Sequence, residues 1–246
     1  MTGKDKIKRP VFNKTNDNIE WAPYSWNPVT GCKFGCQYCY ARDIANRFMG
    51  GFEPTFHPDR LSAPKNTPQA GKLKKNVFVC SMADLFGHWI DKSWIDQVLE
   101  VVKEQSQWTY IFLTKNPIRY LEFKFPINCF LGATADTQKR FNTAIEVFSH
   151  IKRRVRFISA EPLLERITPP KKMDMLEWVI IGGQSKSSGA PAMQPEWNWC
   201  KPLVKAALVN DVPLYFKPNL ITRPQETPKK QRKEKVVVGS RVFFFD

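Results

Sequence analysis

Asn76-Val77-Phe78-Val79-Cys80-Ser81-Met82-Ala83-Asp84 is a short apolar run followed at once by small and acidic residues. Four or five β-branched and aromatic residues bounded by polar ones predict a buried strand. The same pattern recurs along the chain. Residues 110–113 are followed by Thr114-Lys115, residues 129–132 by Ala133-Thr134-Ala135-Asp136, and residues 156–158 by Ser159-Ala160-Glu161-Pro162. Residues 178–181 lead into Gly182-Gly183-Gln184-Ser185, and residues 213–216 into Lys217. Amphipathic stretches lie between these runs. In residues 94–104, Trp94, Ile95, Val98, Val101 and Val102 share one face; residues 118–123, 137–149 and 197–210 read as further helices. Strands alternating with helices predict an α/β fold of parallel strands joined by right-handed crossovers. Adding a strand before residue 31 gives a single-domain full or partial (β/α) barrel of about six to seven parallel strands. In such sheets ligands sit at the C-terminal strand ends, where these polar residues fall.

Upstream lies Gly31-Cys32-Lys33-Phe34-Gly35-Cys36-Gln37-Tyr38-Cys39-Tyr40. Three of the six cysteines fall within eight residues there, spaced C-x3-C-x2-C, while Cys80, Cys129 and Cys200 are isolated. That distribution is a metal site's, not a disulfide framework's. Thiolates suit iron–sulfur clusters, and a compact loop carrying three of them leaves a fourth iron open. Glycines at 31 and 35 let the backbone turn closely. Zinc is the alternative, although a structural zinc takes four ligands and the nearest histidine, His57, is distant in sequence. Cys80 is a candidate fourth ligand at a strand exit; a buried small residue is its other reading. A helix over residues 41–49 follows, with Ile44, Ala45 and Phe48 as its apolar positions, closed by Gly50-Gly51. Residues 51–73 read as an irregular surface excursion.

Lys and Arg number 38 against 23 Asp and Glu, a net charge of +15. This exceeds what solubility requires and points to an anionic partner, nucleic acid first. The basic residues concentrate at the ends. Residues 1–18 are expected to form a basic arm, 19–221 the α/β domain, and 222–246 a basic tail with a possible hairpin at 236–245. No apolar leader and no bilayer-length apolar run is visible, which predicts a cytoplasmic protein with no membrane partner. Trp21, Tyr24 and Trp26 precede the cysteines and read first as core, with base stacking as the alternative.

The loop resembles the signature of the radical S-adenosylmethionine superfamily, C-x3-C-x-aromatic-C, with Tyr38 at the aromatic position. A closer resemblance runs through Glu20-Trp21, Trp26-Asn27-Pro28-Val29-Thr30-Gly31-Cys32, Ser81-Met82-Ala83-Asp84-Leu85-Phe86, Leu113-Thr114-Lys115, Ser159-Ala160-Glu161-Pro162-Leu163 and Trp178-Val179-Ile180-Ile181-Gly182-Gly183. It is to a phage-borne radical-SAM-like family of unknown function. The resemblance implies a 4Fe-4S cluster on Cys32, Cys36 and Cys39, with S-adenosyl-L-methionine chelating its open iron and cleaved to a 5′-deoxyadenosyl radical. It implies cofactor contacts from Tyr38, Ser81, Met82, Asp84, Thr114, Lys115, Glu161, Gly182, Gly183 and Gln184. Asp84 would take the methionyl amino group, Thr114 and Lys115 its carboxylate or a ribose hydroxyl, Glu161 the ribose, and the glycine pair the adenine. An acid is expected after the glycine pair, and Gln184 departs from that. An external electron donor of flavodoxin or ferredoxin type is implied too. The substrate expected from charge and family is a nucleic-acid base or nucleotide, in phage DNA hypermodification, with Lys217 near a phosphate. A small-molecule or peptide substrate, or a nucleic-acid-binding protein with a structural metal, are the alternatives.

Overall fold

The computed structural model describes residues 9–15, 19, 21–69, 75–152 and 154–223, together with the backbone of 234–238 and 241–245. Glu20 and the basic residues Lys229, Lys230, Arg232 and Lys233 lie outside the described residues, as does most of the basic arm over 1–18. The chain divides into two compact units. One comprises residues 1–35, 41–112 and 123–130; the other comprises 36–40, 113–122 and 131–246.

The first unit opens with β1 (Asn13–Lys14), β2 (Tyr24–Trp26), β3 (Val29–Thr30), α1 (Tyr40–Phe48), β4 (Thr55–Phe56), α2 (Ala63–Asn66), β5 (Asn76–Val79) and α3 (Lys92–Glu104). β1 runs antiparallel to β2, whereas β2 with β5 and β5 with β6 (Thr109–Thr114) are parallel. Burial explains the aromatic lead-in. Trp26 and Tyr24 are core residues, with Phe12, Trp108 and Tyr110 around them. Edge-on packing such as Phe12 on Trp108, at 5.0 Å between centroids, is the favoured aromatic arrangement. Tyr24 and Trp26 are therefore not base-stacking platforms. α3 begins at Asp91, whose carboxylate accepts from the Ser93 N–H at 2.7 Å, and buries Ile95, Val98, Leu99 and Val102.

Two expectations need correction here. Residues 51–69, the described part of the stretch 51–73, are not an irregular excursion. β4 pairs antiparallel with β3, a 3-10 turn covers Pro58–Ser62, and the Pro64 carbonyl accepts from the buried Trp108 indole at 3.0 Å. Proline at the start of each turn hid regular structure that long-range pairing completes. In α1 the buried positions are Ala41 and Ala45; Ile44 and Phe48 are exposed.

The second unit continues with a 3-10 turn (Pro117–Glu122), β7 (Cys129–Thr134, shared with the first unit), α4 (Gln138–His150), β8 (Val155–Ala160), β9 (Trp178–Ile181), α5 (Trp197–Val209) and β10 (Leu214–Phe216). β8 pairs with β9, and β9 with β10, both parallel. β11 (Glu234–Val238) and β12 (Arg241–Phe245) form a separate antiparallel pair. Among the described residues the main sheet has eight strands in the order β1-β2-β5-β6-β7-β8-β9-β10. This is the α/β fold of mostly parallel strands that the sequence predicts. Among its parallel strands β5 and β9 are almost wholly buried apolar runs, while β10 is half-buried throughout. Among the described residues, no helix is long and apolar enough to cross a membrane.

Candidate cluster and cofactor site

In the first unit, the cysteine loop is held by backbone. Gly31 takes φ +87°, and a Cβ there would lie 2.1 Å from the Glu53 carbonyl oxygen. Only glycine fits both constraints. Its N–H donates to the Met82 carbonyl at 2.9 Å, and the Cys32 N–H donates to the Phe52 carbonyl at 3.1 Å. The exit of β5 is thereby tied to the start of the loop. Asn27 completes the join: its Oδ1 accepts from the Met82 N–H at 3.0 Å and from the Ser81 hydroxyl at 3.2 Å. Asp84 is buried, and its carboxylate accepts from the Phe86 N–H at 3.1 Å. So Ser81 and Met82 do lie against the cysteine loop, while Asp84 also braces its own turn.

Cys80 sits at that same exit with φ +58°, a left-handed conformation unusual for a residue with a side chain. It is buried, and burial pushes its thiol up to about 12. Cys129 and Cys200 are buried as well, whereas Cys32, Cys36 and Cys39 are partly exposed.

In the second unit, side chains do the holding. The Tyr38 hydroxyl donates to Asp136 Oδ2, and Arg140 Nη1 donates to both oxygens of Asp136 at 2.6 Å. Asp136 is fully buried. Burial, and then the neighbouring Asp136 carboxylate, hold the Tyr38 phenol well above its ordinary range. Lys115 Nζ lies 5.3 Å over the Tyr38 ring, a cation–π contact. The Gln37 carbonyl accepts from the Ser187 hydroxyl at 2.8 Å, and Gly189 approaches it so closely that a Cβ would sit 2.6 Å away. Tyr38 and Lys115 are thus brought together. Thr114 is buried and its hydroxyl accepts from the Asn116 N–H at 2.9 Å.

At the exits of β8, β9 and β10, Lys217 Nζ lies 3.2 Å from Glu161. Burial raises the Glu161 carboxyl above its ordinary value, and Lys217 and Lys115 oppose that rise. Gly182 is crowded by Glu161, Asn219 and Lys217, and a Cβ on Gly183 would lie 2.7 Å from Gln194 Nε2. Gln184 donates from Nε2 to the Pro191 carbonyl at 2.6 Å. An acid there would present a carboxylate to a carbonyl, so the amide at 184 has a local physical reason.

Asp136, Arg140, Asn27 and Gln194 escaped sequence reading as site residues. For the first two a signal existed: an acid at a strand exit and an arginine four residues later, on one face of the next helix.

The fold and these residues define a class: an α/β protein with a mostly parallel sheet and a short loop of three partly exposed cysteines. Residues 16–240 match the model of a family described as a protein of unknown function, DUF5131, and the chain belongs to that family. No curated protein matches the chain. Among solved structures it is similar to a spore photoproduct lyase complexed with dinucleoside spore photoproduct. That similarity has a TM-score of 0.49 at 12% identity and covers 73% of this chain and 59% of the other. The chain thus spans less than two thirds of that lyase.

Proposed function

We propose that the protein is a radical S-adenosylmethionine enzyme, with Cys32, Cys36 and Cys39 holding a 4Fe-4S cluster and a nucleic-acid base or nucleotide as substrate. The observation that carries this reading is the division of the cysteines by burial: three partly exposed thiols in one loop, against three buried ones elsewhere. Among the described residues no three His, Cys, Asp or Glu side chains form a group suited to one metal ion. What supports the cluster is the donor type and its spacing: three thiolates in one short loop at C-x3-C-x2-C, one for each of three irons. Such a cluster supplies, when bound, the one-electron reduction that cleaves S-adenosylmethionine and yields a hydrogen-abstracting 5′-deoxyadenosyl radical.

The chain's own residues do the rest. Ser81 and Met82, locked by Asn27 beside the loop, offer backbone and hydroxyl groups to the cofactor's methionyl end. Tyr38, fixed by Asp136, holds the far turn of the loop still. Glu161, paired with Lys217, would accept from a ribose hydroxyl. The electron donor is a flavodoxin- or ferredoxin-type protein of the cytoplasm in which the enzyme works. The net charge of +15 favours a polyanionic substrate.

Anaerobic reconstitution with iron and sulfide tests this. The protein should turn brown and, with dithionite and S-adenosylmethionine, release 5′-deoxyadenosine, and Cys36→Ala should lose both. If that variant keeps the colour and the release, the reading is wrong.

A further inference from the structure

An open groove of about 360 Å³ lies at the end of β10, lined by Phe216, Lys217, Pro218, Leu220, Ile221 and Arg223. We propose that this groove is a phosphate-binding subsite for a nucleic-acid strand, with Arg223 as its principal contact. The inference deepens the nucleic-acid reading above and rests on it, but needs no cluster.

Three features carry it. First, the groove's two cations are not equivalent. Lys217 is buried against Glu161, which offsets its charge. Arg223 is exposed, its guanidinium 5.4 Å over the Phe216 ring, and no carboxylate pairs with it among the described residues. A guanidinium laid on an aromatic face keeps its N–H edge free, and that planar fork matches phosphate oxygens. Second, the turn presenting it is braced. Gln194 donates from Nε2 to the Asn219 carbonyl at 2.8 Å and accepts at Oε1 from the Ile221 N–H at 3.0 Å. The Thr222 hydroxyl donates to the Pro195 carbonyl at 2.9 Å. A preorganised turn spends less entropy on binding than a loose one. Third, Arg223 opens the most basic stretch of the sequence: residues 223–235 carry six Lys and Arg against two Glu. As composition alone, that run of charge favours a polyanion over a single phosphate.

The test is fluorescence anisotropy of the full chain with a labelled single-stranded DNA, across a salt series. R223E is compared with K103E, which makes the same charge change on the exposed face of α3. We expect R223E to weaken binding roughly tenfold and to reduce the slope of log K against log salt by about 0.7, as for one lost phosphate contact. R223K should recover part of the affinity, and K103E should stay within about twofold of wild type. Competition by a mononucleotide would assign the groove to a free nucleotide phosphate; its absence would assign it to a strand. If wild type binds and R223E matches K103E, the groove proposal fails alone. If wild type binds no nucleic acid, the substrate reading fails and the groove with it. Release of 5′-deoxyadenosine by R223E reports separately on the radical reading.

Discussion

The two ends of the cysteine loop are secured by different physics. Its beginning, around Cys32, is stitched by neutral backbone hydrogen bonds, with one glycine making the approach possible. Its far turn, around Tyr38, is pinned by a fully buried carboxylate shared between a phenol and a guanidinium. The first arrangement depends on shape and hardly on charge. The second concentrates its hold in three side chains, where a single truncation strands a buried charge. A loop presenting three thiols at fixed positions needs both ends defined, since metal-ligand geometry is held by the groups behind the ligands.

The backbone end should break hardest. Gly31→Ala imposes the left-handed penalty and drives a Cβ into the Glu53 carbonyl, so we expect a loss of about 4 kcal/mol in urea unfolding, together with reduced iron retention. At the other end, Arg140→Ala leaves Asp136 buried without its cation. Because Arg140 is about one-third exposed, we expect about 2–3 kcal/mol rather than the full cost of splitting a buried pair. Tyr38→Phe should cost less than Arg140→Ala. The reverse order would mean that the phenol, not the ion pair, is the anchor.

Gln184→Glu moves the comparison to the β9 exit, where the new carboxylate would face the Pro191 carbonyl; about 1–2 kcal/mol is expected by thermal unfolding. Glu161 adds a pH dependence. Its carboxyl is raised in the fold chiefly by burial, so its contribution to stability is present below the unfolded value and lost as pH rises through the folded one. Glu161→Gln should flatten that loss in unfolding measured across the carboxylate range. An unchanged profile would remove Glu161 as its source.

How much of this was legible depends on range. The alternation of strands and helices was readable because burial periodicity is local, and the polar strand exits followed from it. The cysteine spacing was readable because three ligands lie within one turn-rich segment. The β3–β4 pairing was not, since neither two-residue strand carries a periodic signal until the other is beside it. Asp136 was visible as a strand-exit acid, but its bond to Tyr38 spans 98 residues and no spacing rule reaches that far. Gln184 looked like a missing acid; only the Pro191 carbonyl beside it shows why an amide belongs there.

The smallest expected effect separates the two kinds of cysteine. Whereas Cys32, Cys36 and Cys39 are partly exposed, Cys80 is buried at φ +58°. Replacing it by alanine keeps the strained backbone and loses the sulfur's packing. Replacing it by glycine loses the same packing but relieves a left-handed penalty of about 1–2 kcal/mol, against about 0.5–1 kcal/mol of extra chain entropy. Cys80→Gly should therefore be more stable than Cys80→Ala by about 0.5 kcal/mol, a reversal of the usual order for these residues. Both variants should bind iron and sulfide as wild type does. A Cys80→Gly protein that folds yet fails to load would instead make Cys80 a ligand, and the fourth iron would then be closed by the chain itself.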